Sequence, residues 1–180
     1  MKIVDIFAKK LCSIAYKKVG SEEYDICEYD RLLDLWTDVS YLHQYAIANK
    51  VKNIDKFVKA RLRDAEKIED FLEELTQENT PLDSYFHQLD NNETGFKLLS
   101  LRKGKASKQD GLRLYAIKID DDCFLITGGA IKMSLKNDDH KDTQKEMEKI
   151  AEVKSILQDN DVIDSESFYE FRTELEDDNK

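Results

Sequence analysis

From Asn53 to Leu75 the chain repeats apolar residues at intervals of three and four. Ile54, Phe57, Val58, Leu62, Ala65, Ile68, Phe71, Leu72 and Leu75 line one side of a helix, and Asn53 is placed to cap its start. A helix of this length with one apolar stripe must be covered by another layer. Glu28 to Lys50 reads as helix as well. Leu32, Leu33, Leu35 and Trp36 form one apolar face, the chain breaks and re-caps at Thr37 or Asp38, and Tyr41, Leu42 and Tyr45 continue the face. Thr80-Pro81 opens a short helix, because proline is tolerated at the first helical position. His43 and His87 fall on these helical segments and read as surface or boundary residues.

After Gly95 the period changes. Phe96 to Leu101 reads as a strand, and Arg102 to Gly111 as a lysine-rich turn. Leu112 to Ile119 alternates: Leu112, Leu114, Ala116 and Lys118 on one face, Arg113, Tyr115, Ile117 and Ile119 on the other. Asp120-Asp121-Asp122 turns the chain, and Cys123 to Thr127 is a wholly apolar strand. Gly128-Gly129 permits a bulge or kink before Ala130 to Met133. Lys9 to Tyr16 makes a first strand. A capping box, Thr143-Gln-Lys-Glu146, opens a helix through Leu157, and Asp164 or Ser165 starts a last one. Helices and strands are segregated, so the class is α+β. The expected architecture is an antiparallel sheet of about four strands, two N-terminal helices after strand 1, and a C-terminal helical extension. One domain spans 1–160, and residues 161–180 add a helix and a frayed acidic tail.

No apolar run reaches the ~20 residues of a membrane span. The N-terminal segment has charges within its apolar run, which is not the pattern of a signal peptide. Three widely spaced cysteines (Cys12, Cys27, Cys123) fit buried thiols in a cytoplasmic protein better than disulfides or zinc. The Asp120–Asp122 run lacks the alternating ligands, the glycine and the downstream glutamate of a calcium loop. No phosphate loop, no nucleophile elbow and no metal or cofactor motif is present.

The net charge of −10 excludes a nonspecific nucleic-acid coat, but the charge is segregated. Residues 25–96 and 146–180 each carry a net −8, and residues 97–145 a net +4. On the basic stretch Arg113 and Tyr115 share a strand face, Lys132 ends the next strand, and Lys136 and His140 follow in a loop. Metal-free RNA cleavage needs such a set: a base for the 2′-hydroxyl, a cation for the phosphorane charge, and an acid for the leaving oxygen. Tyrosine and arginine also stack on splayed bases. The same cations equally serve to solubilise a half-exposed sheet.

Ile131-Lys132, the polar loop to Asp142, and Thr143-Gln-Lys-Glu146-Met147 resemble the end of the RelE/ParE superfamily, in its HigB-like, phage-derived branch. There a last strand ends in lysine, crosses a lysine-rich loop and enters a helix beginning roughly T-P-x-x-E-I. Gly111-Leu112-Arg113-Leu114-Tyr115-Ala116-Ile117 is similar to the family's central G-L-x-E-L-R-I strand. Tyr115 stands where the family has a strand arginine, the loop proline is missing, and the body is acidic. The resemblance implies a toxin of a bacterial toxin-antitoxin system: a metal-independent mRNA endonuclease acting with the ribosome and held by a cognate antitoxin. On this reading of the basic stretch Arg113, Lys132 and His140 are the expected catalytic groups, and Arg102, Lys103, Tyr115, Lys136 and Lys145 the expected RNA contacts, with Lys136 and His140 in the loop that matches the family's. Lys132 and Glu146 carry over by position. The rival expectation is a non-catalytic protein of the same fold, a regulator or binding module whose acidic helices dock a basic partner protein.

Overall fold

The computed structural model describes residues 1–8, 10–77, 80–89, 99–106, 110–133 and 141–177. Two strands open the chain, β1 (Lys2–Ala8) and β2 (Leu11–Ala15). Three helices follow, α1 (Glu28–Thr37), α2 (Val39–Ala48) and α3 (Ile54–Gln77). Four strands come next, β3 (Phe86–Gln88), β4 (Ser100–Lys105), β5 (Gly111–Asp120) and β6 (Cys123–Lys132). The chain closes with α4 (Lys141–Asp159) and α5 (Ser165–Asp177).

The class is α+β, as expected, but the sheet differs. It has six strands in the order β1-β2-β6-β5-β4-β3 and is mixed, because β2 runs parallel to β6 while every other neighbouring pair is antiparallel. The expected first strand, 9–16, is the second arm of a hairpin. Its first arm carries Lys2 and Asp5 among apolar residues, which hides its strand character. Three helices rather than two separate β2 from the later strands. The expected lysine-rich turn, 102–111, begins as strand: Arg102 and Lys103 lie in β4, opposite Ala116 and Tyr115. Polar residues are tolerated there because each finds a partner. Arg102 Nε donates to Ser100 Oγ at 3.0 Å, and Lys103 Nζ to the Leu89 carbonyl at 2.7 Å. His87 lies on β3, not on a helix.

The helices cover both sheet faces. Leu32 and Trp36 of α1, Leu42 of α2, and Ile68 and Leu72 of α3 pack on Leu112, Leu114, Phe124 and Ile126. Ile150, Val153 and Leu157 of α4 and Phe168 of α5 pack on the other face, against Ile14, Tyr115, Ile117 and Leu125. Both faces are therefore buried, and β5 and β6 read as nearly continuous apolar runs.

Local signals set the helix ends. Asn53 Oδ1 accepts from the Lys56 backbone N–H at 3.0 Å at the start of α3. Asp164 accepts from the Ser167 N–H at 2.9 Å, and Ser167 Oγ accepts back from the Asp164 N–H at 3.1 Å. Asp38 closes α1 and opens α2, where its Oδ1 accepts from the N–H groups of Ser40 and Tyr41 at 2.8 and 3.1 Å. Asp38→Ala is expected to cost about 1 kcal/mol in urea unfolding, the usual loss for an N-cap. The expected capping box is not formed. α4 begins at Lys141, so Thr143 lies inside its first turn and the Glu146 carboxylate turns toward Lys149.

β6 carries the irregularity that positions everything below. Tyr115 pairs with Gly128 and Ala116 with Ile126, so Thr127 is an extra, unpaired residue. The bulge inverts the alternation. Phe124 and Ile126 face α1–α3, and beyond the bulge Gly129 and Ile131 do so instead. Both glycines serve close approach. A Cβ on Gly129 would lie 2.8 Å from Trp36 Cη2 and 2.6 Å from the Arg113 carbonyl oxygen. A Cβ on Gly128 would fall 1.8 Å from Glu146 Oε2, on the opposite face.

Candidate functional site

β2 and β6 pair only as far as Ser13 and Ile126. Beyond that point β6 runs on to Lys132 while β2 ends at Ala15, so the sheet opens between two parallel strands at their carboxyl ends. Crevices of this kind are where open sheets of parallel strands place their ligands. Here the opening is filled by side chains from both layers.

Tyr16, just past β2, donates its hydroxyl to the Thr127 carbonyl at 3.1 Å, using an oxygen of the bulge residue. The first turn of α1 lies on one side, steered there by buried Ser13, whose Oγ accepts from the Tyr29 N–H at 3.0 Å. Glu28 then takes a two-pronged contact from Arg31, at 2.7 and 2.9 Å. From α4, Lys149 Nζ reaches Glu28 Oε2 at 2.8 Å and Glu146 Oε1 at 3.1 Å. The same ammonium sits 5.2 Å from the Tyr16 ring centroid. One lysine thus joins two carboxylates across the sheet, beside a glycine that leaves them room.

The two carboxylates differ. Burial works to raise Glu28, but the hydrogen bonds from Arg31 and Lys149 outweigh it, and the group is held below the ordinary 4.5. Glu146 is raised above that value, first by burial and further by the charge of Glu28, against the pull of Lys149. The cluster therefore holds one firmly ionised carboxylate and one that takes a proton more readily. Burial also raises the Tyr16 phenol, reinforced by Glu28 and Glu146, so its O–H stays a donor to Thr127.

Glu146→Gln is expected to stabilise the fold at neutral pH, because a buried charge disappears while an acceptor for Lys149 remains. A carboxyl whose folded proton affinity exceeds its unfolded one costs stability as pH rises above 4.5. The advantage of the variant should therefore shrink on acidification through that region. Urea midpoints from neutral pH down to pH ~4 measure it.

Apart from Arg113 and Lys132, the residues anticipated from sequence are dispersed. Arg113 is buried, at 3% exposure, and its Nη1 donates to the Leu112 carbonyl at 2.9 Å. Tyr115 is buried at 5% among the apolar residues under α4. Lys132 is half-buried at the end of β6 and Lys145 is exposed on α4. Arg102 Nη1 lies 3.5 Å from Asp83 Oδ1, near the β3 edge. Lys136 and His140 lie outside the described residues. The structure does gather three cations where β4, β5 and β6 meet: burial lowers the Lys105 ammonium, and the nearby charges of Arg113 and Lys132 lower it further.

The cluster around Lys149 was missed from sequence. Only Glu146 had a signal, its place four residues into a helix after a lysine-rich loop. The three cysteines are buried thiols that form no disulfide, and burial raises the Cys123 thiol to about 12. Asp120–Asp122 forms the expected hairpin turn, with Asp121 2.8 Å from Lys118 and Asp122 3.3 Å from Lys10. Among the described residues no group of three or more His, Cys, Asp and Glu is placed to hold a metal ion, and no helix is long and apolar enough to cross a membrane. Compared with models of known protein families, with curated proteins and with solved structures, the chain shows no match.

Proposed function

We propose that this chain is a binding module that docks a basic partner protein on the acidic outer surface of α4 and α5. One observation carries the reading. Glu166, Glu170, Glu174 and Asp177 follow one another at intervals of four, four and three along the exposed side of α5. Tyr169 and Ile163, both exposed, stand beside them as apolar anchors. Glu148, Glu152 and Asp159 extend the same sign along α4. Arg172, the basic residue of α5, pairs with Asp5 at 2.6 Å and with Glu176 at 3.5 Å, neither of them in the row. A surface of one sign, with an aromatic among its charges, steers and selects a partner of the opposite sign.

The test uses a partner co-purified with the wild-type chain and then measured as a purified pair. Affinity should fall steeply with salt, and Glu166→Gln/Glu170→Gln/Glu174→Gln should weaken it about tenfold or more. Unchanged affinity in that variant overturns the reading.

A second reading has its own observation, the grouping of Lys105, Arg113 and Lys132 at one end of the sheet. It is the RelE/HigB-like toxin, an endonuclease acting on mRNA with the ribosome and restrained by a cognate antitoxin. Phosphate would meet Lys132, with Lys136 and His140 supplied by the following loop. Growth after induced expression separates the two readings. Arrest by the wild type but not by Lys132→Ala/His140→Ala, at equal protein levels, favours the nuclease. Normal growth with both removes it.

A further inference from the structure

The outward stripe of α3 is divided by charge. Lys56, Lys59 and Arg63, then Glu66, Asp70 and Glu74, recur at intervals of three and four and are all exposed. The first three are basic and the last three acidic. Asp55 and Lys67 lie at the flanks of the stripe.

This order does not serve the helix. Lys56 in the first turn and Glu74 in the last oppose the macrodipole, by about 0.3–1 kcal/mol each, although Asp55 favours it. Neighbours along each block repel at the i,i+3 and i,i+4 distances. Among the described residues, none of the six forms an ion pair within its own chain. The arrangement needs a different explanation, and its symmetry supplies one. Laid antiparallel on itself, the stripe sets Lys56 against Glu74, Lys59 against Asp70 and Arg63 against Glu66. The two inner pairings turn about the point between Asp64 and Ala65 and the outer one about Ala65, all within about one residue of the middle of α3.

We propose that α3 is a self-association surface, on which a second copy of this chain pairs antiparallel about a two-fold axis at Asp64–Ala65. Each contact then occurs twice, as an isologous interface requires. The acidic block of one copy meets the basic block of the other, and the two helix dipoles run opposed. A shallow hollow lined by Asn53, Asp55, Lys56, Lys59, Ala60 and Arg63 lies beside the basic block, and its three cations outnumber the one carboxylate that the partner's acidic side chains would meet there. The interface is polar and exposed, so the dimer is weak and sensitive to salt. It lies on the sheet face opposite α4–α5 and is independent of the docking reading above.

Sedimentation equilibrium of the full chain tests it. At low ionic strength the wild type should dimerise, and its dissociation constant should rise about tenfold or more at high salt. The direction is diagnostic. A chain of net charge −10 repels its copies most strongly at low salt, so general charge effects give the opposite trend. Lys59→Glu/Arg63→Glu and Glu66→Lys/Asp70→Lys should each be monomeric alone. Mixed, they should form a heterodimer, because every facing pair is then again of opposite sign. A wild type that stays monomeric at low salt overturns the proposal. So does a dimer that survives in either variant, or failure of the mixture to associate.

Discussion

Trp36→Ala is expected to cost about 3–5 kcal/mol, the range for removing a buried aromatic. The side chain is 2% exposed, and its ring rests against the backbone of Gly129. The floor of the space it fills is main chain of a central strand, and the sheet cannot sink to close the gap. Leu32, which also lies against Gly129, and the helix residues of the same cluster are themselves buried in it. A typical domain holds about 5–15 kcal/mol in total, so the loss is a large fraction of it. Denaturant unfolding followed by far-ultraviolet dichroism measures it. A loss below about 1 kcal/mol would show that the space collapses and leaves little residual cavity, so that the sheet and its helices are not held as argued.

Lys149→Met is expected to cost about 3–5 kcal/mol at neutral pH, as when one member of a buried ion pair is removed. Glu28 keeps Arg31, but Glu146 loses its cation in a site where its side chain is only 12% exposed. The pH dependence should identify the cause. Glu146 already takes protons more readily than in the unfolded chain, and removal of Lys149 strengthens that tendency. The folded variant should therefore gain protons first as pH falls, and its deficit should narrow on acidification. Below 4.5 the opposite contribution enters, because Glu28 is held low and its share of stability is lost on protonation. Adding Glu146→Gln to Lys149→Met should recover part of the loss at neutral pH. A deficit that is constant with pH and untouched by the second substitution would mean that Lys149 contributes packing alone.

The helices were legible because their determinants are local. The caps at Asp38, Asn53 and Asp164 act over three residues, and the apolar stripe of α3 repeats within one segment. The β5–β6 hairpin was legible for the same reason, since alternation and the Asp120–Asp122 turn are adjacent in the chain. Strand β4 was misplaced by a few residues because Arg102 and Lys103 look like turn residues until the partners across β3 are known.

The candidate site was hardly legible at all. Arg113 looks like an accessible cation on an alternating strand, but both faces of β5 are covered, and alternation cannot reveal a second covering layer. The two glycines announced an irregularity in β6, yet the bulge falls at Thr127, and its effect on facing depends on register with β5. Composition, periodicity and local capping determined by themselves the class of fold, the helices and the central hairpin. Only the tertiary structure decided that β2 lies parallel to β6, that the two strands part at Ser13 and Ile126, and that Lys149 closes the opening onto Glu28, 121 residues away. Such contacts depend on chain closure and burial across the whole molecule, and no short-range pattern encodes them.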